Sequence, residues 1–338
     1  MPTIDSDAHV VETERTWEYM VGADAQYRPQ TIIRRTPSGE EEALWFVDGN
    51  VRGRQNVGRD TSQEAREMAD IEARLRHMDE LEVDVQVLYP TMFLSALTRR
   101  PHVEVAMCKG YNRWLADIWD AGKGRLRWAA VLPLLDMNAA LEELQFCCEH
   151  GACAVFIRGI EGQHTLDNPY FDRLYGAASA LNLPIGIHAG VGNMDVGEVF
   201  TDPWMKNKLC TIGAFQALIN GGVTTRFPQL RIGFIETSAQ WVPYALHDMA
   251  KRRRRTGEID KSRVLRDNRI YVACQTDDDI PYVLKYAGED NVVIGTDYGH
   301  NDTATEIDAL RHLKHGEGVT ATAINKILDD NARALYAL

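Results

Sequence analysis

Side chains able to bind a metal ion follow four short apolar runs of this 338-residue chain. In chain order they are Asp7 and His9, His188, Glu236 and Asp297. Asp7 and His9 are two positions apart, so on a continuing strand both side chains point to one face and can hold the same ion. Taken singly, such residues are more often structural, but the coincidence at four strand ends favours a metal site. Imidazole nitrogens mixed with carboxylate oxygens predict zinc, iron or manganese.

The segments that must position these residues are eight short runs rich in β-branched residues. They alternate with amphipathic stretches, which is typical of parallel strands joined by helices. The sequence therefore predicts one (β/α)8 barrel over residues 1–338, in which residues just past the strand ends converge on the C-terminal mouth. The predicted strands are 3–6, 84–89, 126–132, 152–157, 184–187, 231–235, 270–274 and 292–295.

Residues from about 17 to 60 do not fit a single strand-helix unit and are predicted to form an insertion. Runs 31–35 and 43–47 flank Pro37, Ser38 and Gly39, which is the pattern of a β-hairpin. Because the insertion follows the first strand, we expect it to lie over the mouth of the barrel. There Trp45 or Phe46 would form a wall of the pocket.

Two helix starts are predicted from capping-box patterns. Thr61 with Glu64 precedes a helix, and Thr303 with Glu306 is expected to open the helix after the eighth strand. The first helix continues through apolar residues spaced by three and four positions, which are Ala65, Met68, Ile71, Leu75 and Met78.

Charge and composition narrow the class of partner. The formal net charge of -12 would repel nucleic acid and anionic membranes, which leaves a small molecule as the expected substrate. The one basic run, 251–255, is typical of a solvated helix end. Six cysteines without a Cys-x-x-Cys pair, and no run of 18 apolar residues or leader-like segment, favour a reducing cytoplasm.

Five segments together resemble the amidohydrolase-related branch of the amidohydrolase superfamily, which includes aminocarboxymuconate-semialdehyde decarboxylase and related aromatic-acid decarboxylases. They are 4–12, 87–91, 184–190, 222–228 and 295–300, and the resemblance spans nearly the whole chain. It implies that Asp7 and His9 take the place of the family's first-strand metal ligands, and that His188 and Asp297 are the ligands from the fifth and eighth strands. In the family's hydrolases, the aspartate also helps to activate water.

The sequence departs from the family pattern at Glu236, where the sixth strand often ends in a histidine that acts as acid or base. Glu236 is therefore either a general base or a metal ligand. Together with His300, the carboxylate-rich set has enough donors for two ions, as in dinuclear iron or iron-manganese oxygenases of this superfamily. The fourth strand ends in Arg158 and has no lysine that could bridge two metals.

Three further residues are predicted to contact the substrate: Arg158, Tyr89 and Trp241. The guanidinium of Arg158 would grip a substrate carboxylate, or would form an ion pair that orders the site. Trp241 would stack on an aromatic ring or pack in the core.

These observations predict a metal-dependent enzyme with one or two Zn, Mn or Fe ions per chain. The expected reaction is hydrolysis or non-oxidative decarboxylation of a small carboxylate-bearing substrate, in which Asp297 and Glu236 handle protons. The alternatives are a dinuclear oxygenase and a catalytically silent subunit of a hetero-oligomer. A homo-oligomer is the expected assembly.

Overall fold

Eight parallel strands form the central sheet of this computed structural model, which describes residues 2–37, 39–54, 56–253, 259–316 and 318–338. The strands lie side by side in chain order, as the sequence predicts. With all strands of the chain numbered from the N-terminus, the sheet consists of β1 (Ile4–Val10), β5 (Val85–Pro90), β6 (Leu126–Val131), β7 (Ala152–Arg158), β10 (Ile185–His188), β11 (Ile232–Ile235), β12 (Ile270–Cys274) and β13 (Val292–Ile294).

The sheet closes into a barrel between β1 and the residues that follow β13. The Asp297 N–H donates to the Asp7 carbonyl and the His9 N–H donates to the Tyr298 carbonyl, both at 2.8 Å. A β-carbon at Gly295 would overlap Asp7, so this position requires glycine for the close approach. Closure therefore brings Asp7 and His9 beside Asp297, almost three hundred residues along the chain.

The predicted strands are confirmed, with one correction at β1. This strand continues through Val10 rather than ending near residue 6, so Asp7 and His9 lie within it. All seven of its residues are buried, because its inner face fills the barrel and its outer face meets the helices. The pairing of β1 with β5 shifts register between Asp5 and Ala8. The side chains of Asp7 and His9 nevertheless converge as their spacing predicts, with Asp7 Oδ1 3.3 Å from His9 Nε2.

Helices cover the outside of the barrel and bury the outer apolar faces of its strands. The α-helices are α1 (Glu14–Trp17), α2 (Gln63–Arg66), α3 (Ile71–Glu80), α4 (Pro101–Ala121), α5 (Met137–Glu149), α6 (Asp172–Ala180), α7 (Met194–Val199), α8 (Cys210–Asn220), α9 (Val223–Arg226), α10 (Val242–Arg253), α11 (Val264–Asp267), α12 (Ile280–Ala287), α13 (Ala309–Lys314), α14 (Ala321–Asn325) and α15 (Asn331–Tyr336). Single turns of 3-10 or π-helix occupy Gly22–Tyr27, Met92–Leu94, Pro169–Phe171, Met205–Leu209, Lys261–Arg263 and Lys326–Asp330.

The insertion after β1 is a three-stranded antiparallel sheet of β2 (Gln30–Arg35), β3 (Glu41–Val47) and β4 (Asn50–Gly53). The predicted hairpin is confirmed by the pairing of Thr31 with Trp45, and β4 adds a strand that was not predicted. Ser38, at the predicted turn, lies outside the described residues. A small hairpin of β8 (Ile160–Glu161) and β9 (His164–Thr165) follows β7.

Both predicted helix starts require correction. The segment after Thr61 is two helices, because Met68 has a φ of 54° and interrupts the α-helical backbone. Ser62, not Thr61, caps α2 by accepting from the Ala65 N–H. After β13 the helix begins only at α13, and Glu306 instead accepts hydrogen bonds from Thr276 and His312, so it is not part of a capping box.

Within the described residues, none of the helices has the length and apolar character needed to cross a membrane. The basic run lies at the end of α10, and its residues 254 and 255 lie outside the described part of the chain.

Candidate metal centre

Asp7, His9, His188 and Glu236 form a first group of buried donor atoms at the mouth of the barrel. The Asp7 Oδ1 atom lies 3.3 Å from His9 Nε2 and 3.1 Å from His188 Nε2. Ligands that surround one ion at about 2.0–2.2 Å lie roughly 3 to 3.5 Å from one another. The spacing of these atoms therefore suits a shared cation.

A second group uses His9 and Glu236 again and adds Asp297 and His300. His9 Nε2 lies 3.3 Å from Asp297 Oδ1 and 3.8 Å from Glu236 Oε2, and His300 Nδ1 lies 2.7 Å from Asp297 Oδ1. The rings of His9 and His300 are stacked with their centroids 3.7 Å apart. All six predicted metal-ligating residues are thus brought together, in two groups that overlap.

Backbone and hydroxyl groups orient two of the imidazoles. His9 Nδ1 lies 3.0 Å from the Pro90 carbonyl, which leaves Nε2 facing the carboxylates. His300 Nε2 lies 2.8 Å from Thr91 Oγ1, and this hydroxyl donates to the Val10 carbonyl, so it accepts from the imidazole. A histidine whose outer nitrogen is held in this way presents the lone pair of its other nitrogen to a metal.

Four metal-ligating atoms of the second group are buried and form no hydrogen bond of acceptable geometry, although His300 Nδ1 lies 2.7 Å from Asp297 Oδ1: His9 Nε2, Glu236 Oε2, Asp297 Oδ1 and His300 Nδ1. Buried polar atoms without partners are uncommon, because each loses the hydrogen bonds it made to water. Four at one point, all of metal-ligating type, indicate that a cation belongs between them.

The buried charges of the centre also indicate a bound cation. Burial and then the charge of Asp297 raise the pKa of Glu236 well above its usual range, and burial raises that of Asp297 despite the opposing effect of His300. Burial would also raise the pKa of Asp7, but His188 and His9 overcome it and lower that pKa. Three carboxylates in one buried cluster disfavour one another's ionised forms, and one or two divalent cations would offset that cost.

Two of these carboxylates stand on unusual backbone. Glu236 has a φ of 60° and Asp297 a φ of 52°, both in the left-handed region that non-glycine residues seldom adopt. Glu236 follows directly after β11, and Asp297 lies shortly after β13. The left-handed backbone of each residue turns the chain there. Such conformations cost about 1–3 kcal/mol and cluster at functional sites.

A cavity of about 480 Å³ opens above the centre, between the insertion and the barrel mouth. Glu236 lines it from the barrel, and Trp45 lines it from β3. The expectation that the insertion covers the mouth and that Trp45 walls the pocket is confirmed. Phe46 points the other way and is 39% exposed.

The structure does not bring the three predicted substrate-contacting residues to this cavity. Arg158 is engaged with Glu161, and its Nη1 donates to the Phe93 carbonyl at 2.9 Å. Tyr89 lies beneath the centre, with its hydroxyl 3.1 Å from that of Tyr336. The indole of Trp241 packs on the rings of Phe215 and Phe234, and its Nε1 donates to the Ser238 carbonyl.

Sequence reasoning missed two residues that support the centre. Thr91 orients His300, as described above, and it also lines the cavity. Glu12 accepts hydrogen bonds from the N–H groups of Thr91 and Met92 at 3.2 and 2.9 Å, which fixes the loop after β5. Burial raises the pKa of Glu12 to about 7. The one available signal was the position of both residues just past a strand end.

The model of the amidohydrolase family matches residues 4–338 of this chain. Among solved structures, an amidohydrolase from Mycobacterium avium subsp. paratuberculosis K-10 is 19% identical, with a TM-score of 0.80 over 100% of this chain and 98% of that one. The 2,6-dihydroxybenzoate decarboxylase from Rhizobium is 17% identical, with a TM-score of 0.69 over 100% and 99%. The 5-carboxyvanillate decarboxylase from Sphingomonas paucimobilis is 17% identical, with a TM-score of 0.68 over 100% and 99%. At these identities the structures share the fold.

Proposed function

The chain belongs to the amidohydrolase family, and from that membership we propose a metal-dependent enzyme that hydrolyses or non-oxidatively decarboxylates a small carboxylate-bearing substrate. The observation that carries this proposal is the set of four buried donor atoms without hydrogen-bond partners. Asp7, His9, His188 and Asp297, the ligands that the resemblance implies, would hold one ion, and two of them, His9 and Asp297, supply atoms of that set. Such an ion supplies Lewis acidity, which polarises a substrate oxygen or lowers the pKa of water.

Proton transfer is assigned to Glu236, because it is the one residue of the two donor groups that also lines the cavity. Its carboxyl group reaches the space where a substrate binds, whereas Asp297 is only 1% exposed. Burial and the charge of Asp297 raise the pKa of Glu236 and so favour its protonated form, as a proton carrier requires. Asp297 is held by the Thr305 hydroxyl, which donates to its Oδ2 at 2.6 Å, and serves as a fixed ligand.

A second candidate function, a dinuclear iron or iron-manganese oxygenase, is favoured by the two overlapping donor groups. Six donor residues exceed the four protein ligands that a single zinc usually takes, and His9 and Glu236 belong to both groups. In this case Glu236 would bridge two ions, and redox-active metals would be required.

Replacing Glu236 by Gln separates the two candidates. The amide keeps the shape of the side chain but takes up no proton near neutral pH and bridges cations poorly. We expect Glu236→Gln to retain one metal per chain and lose turnover if the protein is a lyase or hydrolase. A fall from two metals to one, with dioxygen consumption by the iron-loaded wild type, would instead establish the oxygenase.

Two quantities are measured: the metal content of protein purified without added metal, by elemental analysis, and the turnover of a small panel of candidate substrates. Carbon dioxide release is followed with 2,6-dihydroxybenzoate and 5-carboxyvanillate, and hydrolysis with p-nitrophenyl acetate. Glu42→Gln, on the exposed face of β3, is the matched control and should change neither quantity. Full activity with full metal content in Glu236→Gln would contradict both candidates.

The remaining parts of the proposal concern partners. A small-molecule substrate fits the size of the cavity, and a homo-oligomer is expected for the assembled enzyme. Light scattering tests the assembly. It measures the molecular mass in solution of the chain by itself and of the chain with any homologous subunit that co-purifies.

A further inference from the structure

Three cationic side chains line the cavity above the metal centre: Arg52, Arg54 and Lys206. Within the part of the chain that the structure describes, none of the three has a carboxylate partner within 4.0 Å. This is unexpected in a chain with a net charge of -12, because acidic residues outnumber basic ones and could pair with them. The cavity therefore has a basic wall whose charges are not neutralised by the protein.

Arg52 has a buried donor atom without a partner. Its Nε atom is buried and has no hydrogen-bond partner, and its Nη2 makes only a long bond of 3.4 Å to the Leu97 carbonyl. A guanidinium has five N–H donors arranged to bind an oxyanion through two parallel hydrogen bonds. Leaving such a group half-buried and unpaired costs free energy unless a ligand completes it.

Arg54 is held in place beside it by an aromatic ring. Its guanidinium carbon lies 4.9 Å from the centroid of the Trp45 ring, and Trp45 pairs with Arg52 across β3 and β4. A cation–π contact with the indole restrains the guanidinium without using its N–H groups. The insertion thus presents two guanidinium groups to the cavity.

Three acidic residues also line the cavity, and each has other partners. Glu236 belongs to the metal centre, Asp302 accepts a hydrogen bond from the Asn56 amide at 2.7 Å, and Glu12 accepts hydrogen bonds from backbone N–H groups. Apolar side chains also line the cavity: Val57, Met92, Leu94 and Leu97. A ligand that uses these side chains together with the arginines and the metal centre has an apolar part, one oxygen for the metal and an anionic group.

We propose that Arg52 and Arg54 bind an anionic group of the substrate that does not react, a carboxylate or a phosphate attached to an apolar body. This inference rests on the proposed function, because it places the reacting group of the same substrate at the metal centre. For a decarboxylation it means that the substrate carries a second acidic group besides the departing carboxylate. It also gives the insertion a role in choosing the substrate, one that Arg158 does not fill because Glu161 already occupies its guanidinium.

The test is isothermal titration calorimetry of the metal-loaded protein with benzoate, phenyl phosphate and the neutral benzamide. We expect at least one of the two anions to bind and benzamide not to bind. Arg52→Gln and Arg54→Gln should each weaken that binding by roughly tenfold or more, since each removes a charge-assisted hydrogen-bonding group. The anion that binds with the lower Kd shows whether the site prefers a carboxylate or a phosphate.

The matched control is Arg34→Gln, on β2 of the same insertion, where the arginine is exposed and already paired with Glu42. It should bind the anion as the wild type does. Equal binding by the wild type and both cavity variants, binding of benzamide, or binding of neither anion would overturn the inference. Metal content is measured on every sample, which separates the two hypotheses. A protein that binds no metal refutes the proposed function, irrespective of how the arginine variants bind the anion.

Discussion

Two buried groups of charged residues lie at the barrel mouth, and they differ in whether their atoms have partners. Arg158 and Glu161 are 7% and 4% exposed, and they satisfy each other through hydrogen bonds of 2.8 and 2.5 Å. In the metal centre, His9, Glu236, Asp297 and His300 are equally buried, yet each has a donor atom with no hydrogen-bond partner. The charges of Arg158 and Glu161 are satisfied within the fold. The polar atoms of the metal centre instead require a bound ligand, which we infer to be a cation.

The difference also shows in charge. Arg158 brings a positive charge to Glu161, so the pair is neutral. The centre has three carboxylates and three histidines, and burial raises the pKa of both Glu236 and Asp297. Natural proteins rarely bury such charge without compensation, and a bound cation would supply it.

The largest expected effect comes from His9, which belongs to both donor groups. We expect His9→Ala to bind metal at least roughly a hundredfold more weakly, because it removes a nitrogen that lies 3.3 Å from both Asp7 Oδ1 and Asp297 Oδ1. Elemental analysis and a competitive chelator titration measure this. His312→Ala, at an exposed histidine, is the control, and a metal content equal to the wild type in His9→Ala would end the assignment of the centre.

The second prediction concerns the completed pair. Glu161→Gln leaves the buried Arg158 guanidinium without its counter-charge, and we expect a loss of about 3–5 kcal/mol in the free energy of unfolding, measured by urea denaturation. Metal content should not change. The double variant Arg158→Met with Glu161→Met should recover much of the stability, since neither charge remains. A metal loss in Glu161→Gln would show that the two groups are coupled and would weaken the comparison.

The smallest expected effect is at Thr91, whose hydroxyl orients His300. Thr91→Val keeps the shape of the side chain and removes the hydrogen bonds of its hydroxyl to His300 and to the Val10 carbonyl. Metal affinity should therefore fall by roughly tenfold, while the melting temperature stays close to that of the wild type. Thr165→Val, at an exposed position on β9, provides the control. Unchanged affinity in Thr91→Val would mean that His300 is not a ligand.

Much of the fold was predictable because it depends on local patterns. The eight barrel strands are short runs of β-branched and apolar residues, which favour buried parallel strands wherever they occur. The boundaries were less secure. The end of β1 was placed too early because Asp5, Ser6 and Asp7 look polar, yet Asp5 is buried and accepts hydrogen bonds from Thr296 and Gln86. A polar residue with partners from distant strands has no local signature.

The candidate site was predicted better than the substrate pocket. Asp7, His9, His188 and Asp297 follow from strand ends and from residue chemistry alone. Arg158 was chosen for the same reason, and the competing carboxylate of Glu161 lies only three residues away, so this signal was available in the sequence. Arg52 and Arg54 were not found although the insertion was expected over the mouth, because β4 was not predicted and the sequence does not show which of its side chains face the cavity.

The sequence by itself determined which segments become strands and which residue types stand at their ends, since both depend on the alternation and chemistry of neighbouring residues. Only the tertiary structure decided which of these polar atoms are satisfied. Closure of the barrel sets His9 beside Asp297 and His300, and packing of the insertion turns Arg52 and Arg54 toward the cavity. The physical reason is that a hydrogen bond or an ion pair forms between atoms in contact, and those contacts join residues far apart in the chain.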